Sequence, residues 1–225
     1  FPYEYIFEKA WTLNTDDRSW LNALADRHTG VTSEPVRESW DILFNQVYVQ
    51  VPRTLAVLPN LRPVMNKPNN RTSINYPNTA LLQAWQKLLQ APDCNRDALR
   101  LDIITVGRQL LGNYFLTVKD DFDRMYEDLP ALKARAAEMR EILNDLERLN
   151  AFHSRCSLDK WISDARKYGN TPELKNYYEK NARNLITTWG GRLNDYASRT
   201  WAGLIKDYYS KRWDMYLDAV VAAVE

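Results

Sequence analysis

Residues 131–152 read ALKARAAEMREILNDLERLNAF, and within them Leu132, Ala136, Met139, Ile142, Leu143, Leu146 and Leu149 recur three or four positions apart. An α-helix completes a turn in 3.6 residues, so this spacing gathers the apolar side chains onto one stripe. The stretch before it repeats the pattern from about Arg96 to Glu127, with Leu99, Ile103, Val106, Leu110, Leu111, Phe115, Val118, Phe122 and Met125. Pro130 separates the two runs. Two long amphipathic helices joined by a short break predict an antiparallel helical hairpin, and with it an all-α chain.

The flanking sequence agrees. Tyr3 to Leu13 predicts a helix with Tyr3, Ile6, Phe7, Ala10 and Trp11 on one stripe. Asp16 or Asp17 can cap a second helix running to about Asp26, with Gly30 as its stop. Ser33-Glu34-Pro35 starts a third, its hydroxyl placed to accept the first amides, with Val36, Trp40, Leu43 and Val47 turned inward. Residues 50–77 form the longest irregular stretch, broken by five prolines, and a connection of that length is functional or loosely ordered. Helix resumes at Asn78 with Leu81, Leu82, Trp85, Leu88 and Leu89 on its core side. Beyond the hairpin, Ser157 caps a short helix ending at Gly169, and Thr171-Pro172-Glu173 opens another that ends at Gly190-Gly191. Helices over Leu193–Tyr209 and Lys211–Val224 close the chain. The expectation is one all-helical domain over residues 1–225, an array of about eight or nine helices with no internal repeat.

Composition supports that class and narrows the functions. The 225 residues are 45% hydrophobic and 26% charged, with only seven glycines but eight tryptophans and thirteen tyrosines. A net charge of +1 gives no broad electrostatic basis for binding nucleic acid or an anionic membrane. No apolar run approaches the roughly 20 residues of a bilayer span, and Phe1-Pro2-Tyr3-Glu4-Tyr5 does not read as a signal peptide. Cys94 and Cys156 are expected to be unpaired thiols near helix ends. Asn70-Arg71-Thr72 matches a glycosylation triplet, a pattern common by chance.

Catalytic motifs are missing from the sequence. His28 and His153 stand at no metal-ligand spacing and read as interfacial or surface residues. No P-loop, dinucleotide glycine pattern or nucleophile elbow occurs. Ser157-Leu158-Asp159-Lys160 fits Ser-x-x-Lys but reads as a helix cap. Asp120-Asp121-Phe122-Asp123 and the pair Glu4 and Glu8 read as solvated helix faces. The sequence thus predicts no metal, no cofactor and no catalytic residue within these 225 positions.

The richest segment is aromatic: Asn181-Ala182-Arg183, Thr188-Trp189-Gly190, Asp195-Tyr196-Ala197, Trp201-Ala202-Gly203-Leu204 and Tyr208-Tyr209-Ser210-Lys211-Arg212-Trp213. Rings with a polar handle can pack a core or stack on a sugar. This run resembles the C-terminal region of glycoside hydrolase family 89, the α-N-acetylglucosaminidases. Tyr3 to Trp11 looks like the helix that follows the family's second catalytic glutamate. Ala25-Asp26-Arg27-His28-Thr29-Gly30 is similar to its Ala-x-Arg-Arg-Tyr-Gly stretch, from which His28 and Thr29 depart. Trp40 to Tyr48, Arg62-Pro63, Tyr76 and Ala84-Trp85 match in order.

The resemblance implies a C-terminal helical domain beside a (β/α)8 barrel that carries two catalytic glutamates and removes terminal α-linked N-acetylglucosamine with retention. Heparan sulfate is the substrate of glycosaminoglycan-degrading members, and bacterial relatives are linked to host glycans. It also implies an excised domain, inactive alone because both glutamates lie outside it, and an extracytoplasmic setting: secreted, periplasmic or lysosomal. Trp189, Tyr196, Arg183, Arg62 and Tyr76 are the expected substrate-binding residues. For Trp189 core packing stays open as the other role, and for Arg183 so does a carboxylate partner. Trp201, Tyr208, Tyr209, Arg212 and Trp213 are expected to be structural, with Arg212 stacking on Trp213 or bonding an acid. Two rivals remain: a stand-alone helical interaction or glycan-binding module, and a purely structural domain marked by exposed apolar residues that face a barrel.

Overall fold

The computed structural model describes residues 2–12, 16–49, 60, 62–64, 74–93, 96–189 and 199–225. Nine α-helices occur among them: α1 (Pro2–Trp11), α2 (Asp17–Thr29), α3 (Glu34–Ile42), α4 (Asn78–Leu89), α5 (Asp97–Phe122), α6 (Leu129–Ala151), α7 (Leu158–Arg166), α8 (Pro172–Thr187) and α9 (Ser210–Val224). A π-helical turn, Leu43–Val47, extends α3, and another, Ile205–Tyr209, leads into α9. The described residues form no strand, only one isolated parallel bridge between Ser157 and Ala202. The all-α class holds.

Several helix starts are fixed by the side chains the sequence marks. Asp16 accepts the Ser19 N–H at 2.8 Å, Ser157 that of Asp159 at 3.1 Å, and Thr171 that of Leu174 at 3.3 Å. Each satisfies a donor that the first turn leaves without a partner. Ser33 departs from expectation: it precedes α3 with an extended backbone, but its hydroxyl makes no capping bond. Gly30 ends α2 at φ +67°, where a side chain would be strained.

The chain divides into two units, with the boundary inside α5 at Val106–Gly107. The first comprises Phe1–Val51 and Tyr76–Val106. Trp20, Leu21 and Leu24 of α2 form a buried cluster closed by Tyr5, Trp40 and Phe44, and the Tyr5 ring meets Trp20 edge-on at 5.0 Å. Ser39 is fully buried and donates to the Ala84 carbonyl at 2.8 Å, joining α3 to α4 through two small residues. Arg37 forks onto Asp26, Nε to Oδ1 at 3.0 Å, and holds that carboxyl below its usual range. On α4 the buried face is Ala80, Leu81, Ala84 and Leu88, while Leu82 and Leu89 are exposed rather than on the core side. The largest departure is α1. Its apolar stripe Tyr3, Ile6, Phe7 and Trp11 faces solvent, and Trp11 is 88% exposed. The helix is held instead by Tyr5, which donates to Asp17, and by Lys9, paired with the same carboxylate at 2.8 Å.

The second unit comprises Pro52–Asn75 and Gly107–Glu225. Its core gathers Phe115, Val118 and Phe122 of α5 with Leu132, Ala136, Met139, Ile142, Leu143 and Leu146 of α6 and with Ile205, Tyr209, Trp213 and Leu217 near the chain's end. Trp213 is 1% exposed and meets Phe115 at 5.0 Å and Tyr216 at 5.8 Å, both edge-on. Arg108 bonds Asn150 and Tyr114 donates to Glu138, so contacts between α5 and α6 run in opposite chain order. Arg140 of α6 reaches Asp214 at 2.7 Å and Asp218 at 2.6 Å on α9. Lys119 and Asp123 form a buried ion pair, so Asp123 belongs to the interior and not to a solvated face.

Of the helix expected over Leu193–Tyr209, the described part is helical only from Leu204. Residues 199–203 form a non-helical strap. The Leu158 N–H donates to the Ala202 carbonyl at 2.9 Å, and the Ala202 N–H to the Cys156 carbonyl at 2.8 Å. Gly203, at φ +85°, turns the chain where a Cβ would lie 3.1 Å from that of Leu158. Helix starts at Leu204, because Glu147 accepts the amides of Gly203 at 2.7 Å and Lys206 at 3.1 Å. No break follows Tyr209; the π-helical turn passes directly into α9.

Candidate functional site

α8 carries two of the five expected substrate-binding residues. It packs on α7 through Ala182 and Ile186, with the Trp161 indole donating to the Ala182 carbonyl at 2.9 Å. Leu174, Tyr177 and Leu185, away from that face, are exposed. At the helix end, the amides of Thr188 and Trp189 both donate to the Asn184 carbonyl, at 3.0 and 2.9 Å. That shared acceptor closes the last turn and leaves Trp189 54% exposed. An indole so presented offers a flat apolar face and one N–H donor, the geometry that suits a pyranose ring.

Arg183 has the carboxylate partner that its alternative reading named. Its guanidinium lies 2.9 Å (Nε) and 2.7 Å (Nη2) from Glu179, which also receives Arg166. Arg183, then Arg166, hold the Glu179 carboxyl below its usual range. Arg183 can therefore order the α7–α8 surface, while its exposed face still carries a positive charge. Arg62 is exposed in the short described stretch 62–64. Tyr76 is partly buried and belongs to the first unit, whereas Arg62, Arg183 and Trp189 belong to the second. Tyr196 lies outside the described residues, as does Cys94. The structure therefore brings together Arg183 and Trp189 on one helix and its end, and leaves Tyr76 in a different unit.

The remaining aromatic residues of the run are structural, as expected. Tyr209 and Trp213 are fully buried, and Trp201 stacks at a tilt on Trp161 at 5.8 Å. Among the described residues Arg212 stacks on tyrosine rings and not on Trp213. It lies over the rings of Tyr208 at 5.4 Å and Tyr209 at 5.0 Å, and donates to the Asn60 carbonyl at 2.7 Å.

Several polar groups escaped the sequence reading. Glu147, Asn150 and Arg108 tie α5, α6 and the strap together: Arg108 Nη1 is 3.5 Å from Asn150 Oδ1 and 3.4 Å from the Thr200 carbonyl. A signal for Asn150 existed, since it continues the Leu143–Leu146 register as a polar residue on an apolar stripe. Cys156 is a buried thiol, and burial raises its pKa against the opposing charge of Arg108. In the first unit His28 Nε2 lies 3.0 Å from Asp102 Oδ1 and meets the Trp40 ring edge-on at 5.5 Å. Burial raises the Asp102 pKa, and His28 opposes that shift. Among the described residues no group of three His, Cys, Asp or Glu side chains is gathered as for a metal.

Comparison with known proteins bears directly on this arrangement. The family described as "Alpha-N-acetylglucosaminidase (NAGLU) C-terminal domain" matches residues 20–225. Human α-N-acetylglucosaminidase is 29% identical over an alignment spanning 99% of this chain and 31% of that protein. A family 89 glycoside hydrolase from Clostridium perfringens, solved as a double glutamate-to-glutamine variant with its substrate GlcNAc-α-1,4-galactose, is 26% identical and superposes with a TM-score of 0.88. The same hydrolase solved with PUGNAc superposes equally well, and in each case 99% of this chain aligns with 28% of the other. The chain thus spans less than a third of the length of these relatives. Matched by the family's model over nearly its whole length, the chain belongs to the α-N-acetylglucosaminidase C-terminal domain family of glycoside hydrolase family 89.

Proposed function

We propose that these 225 residues form the helical portion of an exo-acting, retaining α-N-acetylglucosaminidase, packing on a catalytic (β/α)8 barrel of the same polypeptide and helping to shape the pocket for a terminal α-linked N-acetylglucosamine. The observation that carries this reading is the outward apolar stripe of α1. Tyr3, Ile6, Phe7 and Trp11 form one face that stays exposed among the described residues of their own unit, and soluble proteins seldom leave such a face bare. Family membership, and a match to only 28–31% of each relative's length, supply an occupant for it. On this reading the catalytic carboxylates belong to the barrel, and the chain contributes binding contacts.

Trp189 is the leading contact, stacking on the sugar, with Arg183 on the helix that ends there; Tyr196, Arg62 and Tyr76 are assigned to substrate on the family resemblance alone. An indole wall holds the ring and excludes water from the reacting centre, which raises turnover without any proton transfer by this domain. An extracytoplasmic setting fits the family; among the described residues no helix is long and apolar enough to cross a membrane. The test is hydrolysis of p-nitrophenyl α-N-acetylglucosaminide. The 225-residue chain alone should release no phenol, whereas the polypeptide joining it to the barrel should; release by the chain alone would overturn the reading.

A further inference from the structure

The strap at residues 199–203 brings a second cation beside Arg108. Arg108 is partly buried on α5. Its acceptors among the described residues are the Asn150 amide oxygen at 3.5 Å, the Thr200 carbonyl at 3.4 Å and the Cys156 thiol. Five guanidinium N–H donors thus meet two long contacts and a weak sulfur acceptor, with no carboxylate. Arg135, Arg140 and Arg166, partly exposed in the same unit, each hold an aspartate or glutamate. Glu147, the acid bonded into the strap, is committed to the amides of Gly203 and Lys206.

Burial lowers the Arg108 pKa, and the like charge of Arg199, stacked at 5.8 Å over Trp201 and next in sequence to the Thr200 carbonyl that Arg108 meets, lowers it further. Thr200, which follows Arg199 and whose carbonyl Arg108 meets, is 3% exposed, and its hydroxyl has no hydrogen-bond partner among the described residues. Two neighbouring guanidinium groups and a buried, unsatisfied hydroxyl lower their free energy when an oxyanion joins them.

We propose that Arg108, Arg199 and Thr200 form a binding site for one small oxyanion, a sulfate or a carboxylate, which supplies the missing counter-charge. The planar fork of each arginine can present two N–H groups to it, and the Thr200 hydroxyl a third kind of donor. The oxyanion can arrive as an independent ion or as the acidic substituent of a sugar. The site lies outside the set of residues assigned to the N-acetylglucosamine pocket and does not depend on that assignment.

Thermal unfolding of the 225-residue chain at fixed ionic strength tests this. Sulfate stabilises most folded proteins by exclusion from their surfaces, so the informative quantity is the response of the parent minus that of Arg199→Glu. The exposed position of Arg199 makes that variant foldable, and its new carboxylate occupies the site. Replacing chloride by sulfate should raise the parent midpoint by about 3 °C more than that of Arg199→Glu at roughly ten times the dissociation constant. Arg108→Met should lose the same increment, and Lys180→Glu, an equal charge change on exposed α8, should keep it. Sodium glucuronate measured against glucose separates the sources: a matching shift assigns the site to a sugar carboxylate, and a shift with sulfate alone to an independent ion. Equal responses in the parent and Arg199→Glu, to both anions, would overturn the proposal.

Discussion

α6 and α8 lie in the same unit and obey the same helical periodicity, yet they are used in opposite ways. α6 buries Leu132, Ala136, Met139, Ile142, Leu143, Leu146 and Asn150 against α5 and the final helix. α8 buries only Ala182 and Ile186, and keeps Leu174, Tyr177 and Leu185 exposed, with Trp189 at its end. Spacing of apolar residues makes a helix amphipathic; it does not say whether this chain, another part of a longer polypeptide, or a ligand covers the apolar side. α1 repeats the lesson in the first unit, with its stripe turned outward.

The contrast predicts a graded set of outcomes. Trp213→Ala empties the centre of the second unit and should destabilise it by about 3–5 kcal/mol in urea unfolding, with the midpoint falling and the slope unchanged. A loss under 1 kcal/mol would remove Trp213 from the core role. Glu147→Ala leaves two amides at the strap and helix start without their charged acceptor and should lose about 1–3 kcal/mol by the same measurement. Glu147→Gln, which can still accept, should recover part of it.

Tyr216 sharpens the comparison from the alkaline side. Burial, then the neighbouring charge of Asp123, pushes its phenol up to about 12 from 10.0. A raised pKa means the stabilisation is fully present below pH 10 and is lost as pH rises through about 12. The whole shift corresponds to at most about 2.7 kcal/mol, and solvent reaching the half-buried ring reduces it to about 1 kcal/mol. Tyr216→Phe should flatten the decline of stability above pH 10; an unchanged decline would show that other groups cause it.

Much of this division could be read in the sequence, and the parts that could not have identifiable reasons. The paired α5 and α6 runs, the caps at Asp16, Ser157 and Thr171, and the structural aromatic residues Tyr209 and Trp213 follow from local spacing and local hydrogen bonds. The strap at 199–203 could not be foreseen, because what stops a helix there is Glu147, more than fifty positions earlier, together with the bridge to Cys156 and Leu158. Asp123 read as surface because its partner Lys119 is equally polar; only the packed interior shows that the two are buried as a pair. For the candidate site, sequence located Trp189 at a helix end, and the Glu179–Arg183 pair is an i,i+4 spacing on α8 itself; what needed the register of α7 against α8 is the entry of Arg166 into that pair.

The smallest stability effects belong to α8. Trp189→Ala and Arg183→Ala should each change folding stability by under about 0.5 kcal/mol, since one ring is exposed and the other side chain forms a surface ion pair. In the polypeptide that includes the barrel, Trp189→Ala should nevertheless reduce kcat/KM on an aryl α-N-acetylglucosaminide at least tenfold. Normal kinetics in that variant would confine Trp189 to a surface role.

Radical footprinting of Trp11 addresses the central claim most directly, that the bare apolar faces of these helices are covered by a catalytic portion of the same polypeptide. In the 225-residue chain its indole should oxidise at the rate of a solvent-exposed tryptophan, and joined to the barrel it should be protected at least tenfold. Equal oxidation rates in the two forms would contradict the account.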